Sequence, residues 1–173
     1  MPCHQFVRGH LLPDWAVTIL RDLIAPARAT LSPTAPGHGR RLYISRGDAA
    51  HRRILNEEAL FALLSDHGFT LLQLSKLSFA EQVIAFADAE IVIGPNGSGL
   101  GNLVFSRPGT RYIELLPRSN MGALRVLCAS AGIDFGYIKS MGCNEDTEWE
   151  SLSDFVVDTD LVKEFLTQID GSA

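Results

Sequence analysis

Four glycines fall within eight residues, at Gly94, Gly97, Gly99 and Gly101, with Pro95, Asn96 and Ser98 among them. Such a turn lets backbone amides approach a phosphate closely. If a helix begins inside it, free N–H groups and the positive end of the helix dipole also face the anion. Leu100, Leu103, Val104 and Phe105 recur at helical spacing, so a helix is expected to start within the glycine run. Glu114 stands twenty residues after Gly94, the single charge in the apolar run Tyr112–Leu116. A carboxylate at the tip of the next strand can accept two hydrogen bonds from a ribose diol. Together these features suggest a nucleotide site, with diphosphate at Gly97–Gly99 and ribose at Glu114. The plainer alternative is a tight strand-to-helix turn whose glycines serve close packing. Asn96 and Ser98 can likewise donate to a phosphate or merely complete the turn. The dinucleotide fingerprint fits imperfectly, because its third glycine would fall at Asn102. No Gly-Lys-Ser/Thr follows, which excludes an ATPase-type phosphate loop.

Arginine is the second signal. Five of the twelve arginines lie in Arg40–Arg53, while the stretch Glu145–Asp170 carries nine acidic residues against one lysine. Arg46 follows the apolar run Arg41–Ser45, and Arg52 and Arg53 precede a predicted helix, where the dipole disfavours a structural cation. Arg46 and Arg53 are therefore candidate phosphate ligands, against the alternative of a solvated arginine cluster. His51 lies in the same loop, though a surface histidine is the simpler interpretation. Asp158-Thr159-Asp160 imitates a metal-binding Asp-x-Asp, but its place at a helix start predicts a cap. No metal cluster and no Ser-His-Asp or Cys-His constellation can be assembled, so no catalytic base is nominated.

These residues need elements to hold them. Short apolar runs at Arg41–Ser45, Phe69–Leu74, Ile91–Ile93, Tyr112–Leu116 and Phe135–Ile138 read as strands. Helical patterns lie between them at Ile54–Leu64, from Ser78 (a capping box with Glu81), after the glycine turn, and at Asn120–Ala131. Regular alternation with near-continuous apolar strands is the pattern of a parallel sheet covered on both faces. The expected fold is α/β, a Rossmann-like parallel sheet with helices on both faces. Before it, Met1–Pro13 is an arm. Asp14–Ala29 reads as one helix, with Trp15, Ile19, Leu20, Leu23 and Ile24 on its apolar face, and Leu31–Gly39 is a Pro/Gly linker. The expected division is 1–39 (arm, helix, linker) and 40–173 (nucleotide-binding domain). Gly142–Ser153 is an acidic loop with Trp149, and Asp158–Gln168 a closing amphipathic helix.

Composition limits the alternatives. With 173 residues, 46% hydrophobic and 20% charged, the chain has the makings of one globular domain. A net charge of −5 argues against general nucleic-acid binding. Three cysteines without Cys-x-x-Cys spacing suggest reduced thiols and a cytoplasmic setting. No apolar run is long enough to span a bilayer, although association with a membrane surface is left open.

In order and spacing, YISR, RRILNEEAL, EQV, FADAEIVIGPNGSGLGNLVF, PGT and IEL resemble the C-terminal domain of glycosyltransferase family 61. The resemblance is dense over about Arg40–Pro117 and looser over Asn120–Ile138. It implies the C-terminal half of a GT-B enzyme and inverting, metal-independent transfer from a nucleotide sugar, usually UDP-linked, to a glycan acceptor such as capsular polysaccharide. No cofactor beyond that donor is implied. Carried across by position, Arg46 and Arg53 would face the diphosphate with Asn56 nearby, Gly97–Gly99 would form the phosphate turn, and Glu114 would hold the ribose. Asn96 stands where the family often has histidine. A GT-B site also needs a second Rossmann-like half, so a partner N-terminal domain or a homo-oligomer is expected. Two other function classes stay open: a non-catalytic or split nucleotide-binding module, and an NAD-dependent oxidoreductase.

Overall fold

In a computed structural model, residues 12–31, 37–116, 123–140, 142–143 and 153–171 are described. Five parallel strands form the sheet: β1 (Arg41–Ile44), β2 (Phe69–Leu72), β3 (Ile91–Pro95), β4 (Arg111–Leu116) and β5 (Asp134–Lys139). Their spatial order is β2-β1-β3-β4-β5. After β2 the chain crosses over β1 to continue on its other side, so the direction of winding reverses between β1 and β3. In register, Tyr43 stands beside Ile93, Ile93 beside Ile113, and Gly94 beside Glu114. Leu42–Ile44, Ile91–Ile93 and Tyr112–Leu116 are buried on both sides, which explains why they are nearly unbroken apolar runs.

One face of the sheet packs on α1 (Asp14–Arg21), α2 (Ile24–Thr30), α4 (Phe79–Asp88), a 3₁₀ helix (Ser98–Phe105) and α5 (Ala123–Ala131). The other packs on α3 (Glu57–Asp66) and α6 (Thr159–Asp170). The chain is an α/β fold of the Rossmann-like kind. Ser78 and Glu81 close the expected capping box on α4. Asp158 caps α6 by accepting from the amides of Asp160 and Leu161, which accounts for the Asp-x-Asp sequence.

Five details differ from the sequence pattern. The first helix is broken at Asp22–Leu23 into α1 and α2. Pro26 has no N–H for the Asp22 carbonyl, and its ring would clash there; restarting at Ile24 puts the proline in a first turn, where no donor is needed. The buried side of the pair also differs. Val17 and Ala27 enter the main core and Leu20 and Ile24 of the expected face pack against it, whereas Trp15, Ile19 and Leu23 are exposed. Arg21 sets that orientation: its guanidinium donates to the carbonyls of Val104 (3.0 Å), Ser106 (2.5 Å) and Ala131 (2.7 Å). These lie at the ends of the 3₁₀ helix and α5, where carbonyls lack helical partners. The helices of residues 1–39 thus share the core of the sheet and do not stand apart from it.

The helix expected from Ile54 starts only at Glu57, because on either side of Ile54 the Arg53 carbonyl accepts from the Phe155 amide and the Leu55 amide donates to the Phe155 carbonyl. Phe155–Val156 (β7) pairs antiparallel with Gly142–Cys143 (β6), an unforeseen two-stranded element. Finally, the helix after the glycine turn is 3₁₀, not α. A Cβ on Gly99 would lie 2.6 Å from Leu74 Cδ1, so this turn sits tight against the β2 loop. The Met1–Leu11 part of the expected arm, most of the Pro/Gly linker and Trp149 lie outside the described residues.

Candidate functional site

In an open parallel sheet the strand carbonyl ends leave a crevice where the winding reverses, because the loops on either side diverge. Here that place lies between β1 and β3. The loop after β1 carries Arg46 and Asp48, and the turn after β3 carries Asn96–Gly99. A cleft of about 320 Å³ lies between them, lined by Arg46, Asp48, Ser75, Gln82, Pro95 and Gly97–Leu100, among others.

Arg46 crosses the glycine turn. A Cβ on Gly97 would fall 2.2 Å from Arg46 Nη1, so glycine is required for the guanidinium to lie where it does. Its Nε and Nη2 donate weakly to the His51 carbonyl, at 3.4 and 3.2 Å. Burial and the nearby charge of Arg52 both lower its basicity, with Asp48 opposing. Two arginines held close, neither in an ion pair among the described residues, are arranged for an anion. Asp48 is tied to the Ser75 hydroxyl, and Gln82 is fully engaged with the Leu74 and Leu77 carbonyls and Asn102.

Behind the cleft runs a chain of three side chains. Arg52 Nη1 donates to Asn96 Oδ1 (2.9 Å), and Asn96 Nδ2 donates to Glu114 Oε1 (2.6 Å). Glu114 has no exposed surface, and its Oε2 has no hydrogen-bond partner among the described residues. Burial pushes its carboxyl up, while the Asn96 hydrogen bond and the Arg52 charge pull it down. On the same face of the sheet, burial pushes the Cys128 thiol up to about 12, with Glu114 adding to the effect. Cys128 is therefore a protonated core residue and no nucleophile.

Arg46, Gly97, Ser98 and Gly99 thus line the β1/β3 cleft, and Asn96 and Glu114 stand behind it, joined by a hydrogen bond. Arg53 and Asn56 do not line it. Arg53 donates to Asp154 through Nε (2.9 Å), Nη2 (2.6 Å) and its backbone amide (2.8 Å). Asn56 clamps Val157, donating to its carbonyl at 2.8 Å and accepting from its amide at 3.0 Å. Both residues fasten the β7 segment to the body. Arg52 instead reaches Asn96 of the glycine turn. Its backbone is in the left-handed region, φ +60°, which turns its side chain the other way from its neighbour's. An arginine carries no sequence mark of that conformation.

The sequence profile of the family described as Glycosyltransferase 61 matches residues 3–113. The chain belongs to glycosyltransferase family 61. The family match takes in α1 and α2, well before the densest stretch of shared motifs, and stops one residue short of Glu114. Within this family 61 domain it covers Arg46, Arg52, Asn96 and the glycine turn. No match was found among curated proteins. Among the described residues of the domain, no three His, Cys, Asp or Glu side chains are grouped to hold a metal ion. No described helix is long and apolar enough to cross a membrane.

Proposed function

We propose that this family 61 domain binds the nucleotide-sugar donor, UDP-linked, of an inverting glycosyl transfer to a glycan such as a capsular polysaccharide. The observation that carries this proposal is Arg46, laid across Gly97 at the reversal point, where it forms no ion pair among the described residues. In the transfer, the acceptor hydroxyl attacks the anomeric carbon in line as the bond to the diphosphate breaks. Arg46 and the amides of Gly97–Gly99 take up the charge left on the departing phosphate oxygen, in place of a metal ion. Glu114 is the ribose acceptor, reached when the Asn96 carboxamide swings aside.

Asp48 is the one carboxylate lining the cleft among the described residues, and it is committed to Ser75. That favours a second reading, in which the domain holds the donor while a partner N-terminal half of a GT-B arrangement, or another copy, supplies acceptor site and base. The test is release of UDP from a panel of UDP-sugars in chelator, with binding of NAD and GDP measured alongside. UDP release, or saturable binding of UDP alone, supports donor binding. Preference for NAD overturns it in favour of a dinucleotide enzyme.

A further inference from the structure

Arg52 combines three features that its neighbours lack. Its backbone holds a conformation disfavoured for a side chain of its size, φ +60°. Its Nε is buried without a hydrogen-bond partner among the described residues. Its Nη1 rests on a neutral amide oxygen, Asn96 Oδ1, although a carboxylate, Glu114, lies just behind that amide. Glu114 mirrors it: the residue is fully buried, and Oε2 has no hydrogen-bond partner among the described residues. A buried donor and a buried acceptor, both unsatisfied and joined only through one carboxamide, describe a network short of its partners. An ordinary structural ion pair would have closed directly, as Arg53 does with Asp154.

We propose that Arg52 is the second anion-binding arginine of the cleft, parked on Asn96, and that Asn96 couples the anion site to Glu114. This rests on the donor-binding proposal above. When a diphosphate seats against Arg46, Arg52 turns to it with its fork of donors. Asn96 loses its hold, and its Nδ2 no longer caps Glu114, whose carboxylate becomes available to a ribose diol. Anion binding and nucleoside binding are then positively linked, and by thermodynamic necessity the linkage runs both ways.

The test uses inorganic pyrophosphate and uridine as separate probes in calorimetric titrations of the whole chain. Arg52→Gly removes the side chain and relieves the backbone, so its thermal midpoint is expected to stay level or rise while pyrophosphate affinity falls at least tenfold. Arg53→Gln is expected to bind pyrophosphate as the wild type does. Saturating pyrophosphate is expected to tighten uridine at least threefold in the wild type and not in Arg52→Gly. A lower midpoint with unchanged pyrophosphate affinity in Arg52→Gly makes Arg52 a structural residue and overturns the proposal. Uridine affinity indifferent to pyrophosphate overturns the coupling. Wild type that binds neither probe nor UDP overturns the donor-binding proposal itself.

Discussion

The two ends of the sheet are both rich in arginine, and they handle it in opposite ways. At the strand N-termini, a cleft of about 400 Å³ is lined by Arg40, Arg41, Arg107 and Arg111. There Arg40 meets Glu90 at 2.6 Å, Arg41 meets Asp170 at 2.8 Å, and Arg107 shares Asp88 with Arg28, while Arg111 forms no ion pair among the described residues. At the strand C-termini, Arg46 and Arg52 form no ion pair among the described residues and rest on a carbonyl and an amide oxygen. Arginine density alone therefore says little about function. What separates a structural end from a binding end is whether the charges are already answered.

The comparison breaks most visibly at Glu114. Glu114→Ala is expected to weaken UDP by about 1–3 kcal/mol, read by titration calorimetry, because the ribose loses its acceptor. Glu114→Gln separates binding from stability. The folded carboxyl is raised by burial, so its contribution is fully present below the ordinary carboxylate range and is lost as pH climbs through the folded value. The wild type should thus lose stability on going from acid toward neutral pH relative to Glu114→Gln. Thermal unfolding of the two across that range checks the sign, and parallel curves would contradict it.

Next in size is Gly97→Ala. Its methyl would displace the Arg46 guanidinium, with an expected loss of about 1–2 kcal/mol in UDP binding and little change in melting temperature. At the opposite end, Asp88→Asn should leave UDP binding alone and lower stability by about 0.5–1 kcal/mol, measured by denaturant unfolding. Burial raises the Asp88 carboxyl, but Arg28 and Arg107 outweigh it and hold the group below its ordinary value. Its contribution is therefore present at neutral pH and lost in acid. The smallest effect belongs to Arg53→Gln: no measurable change in UDP affinity, because Asp154 already occupies that guanidinium.

Much of this arrangement was legible beforehand. The alternating apolar runs announced the parallel sheet, and the expectation that Arg46 and the glycine turn follow strand ends agrees with their lining one cleft. Capping chemistry at Ser78 and Asp158 was likewise local enough to read. What escaped depended on direction. Arg52 and Arg53 are adjacent and identical, and only the left-handed backbone at Arg52 sends one into the network while the other meets Asp154. Asn56 seemed placed for a ligand, yet it clamps Val157, a residue a hundred and one positions away. The break before Pro26 was readable from the missing N–H, but helical periodicity across it masked the signal. Which side of α1 is buried was not local at all, since Arg21 fixes it through carbonyls on two distant elements.

The contrast between the two ends is tested most directly by titrating UDP, in metal-free buffer, into the wild type, Arg46→Ala and Arg41→Ala. Saturable binding that is lost in Arg46→Ala and kept in Arg41→Ala is the expected result. Equal losses in both variants, or binding indifferent to Arg46, would contradict the assignment of the β1/β3 crevice as the donor site.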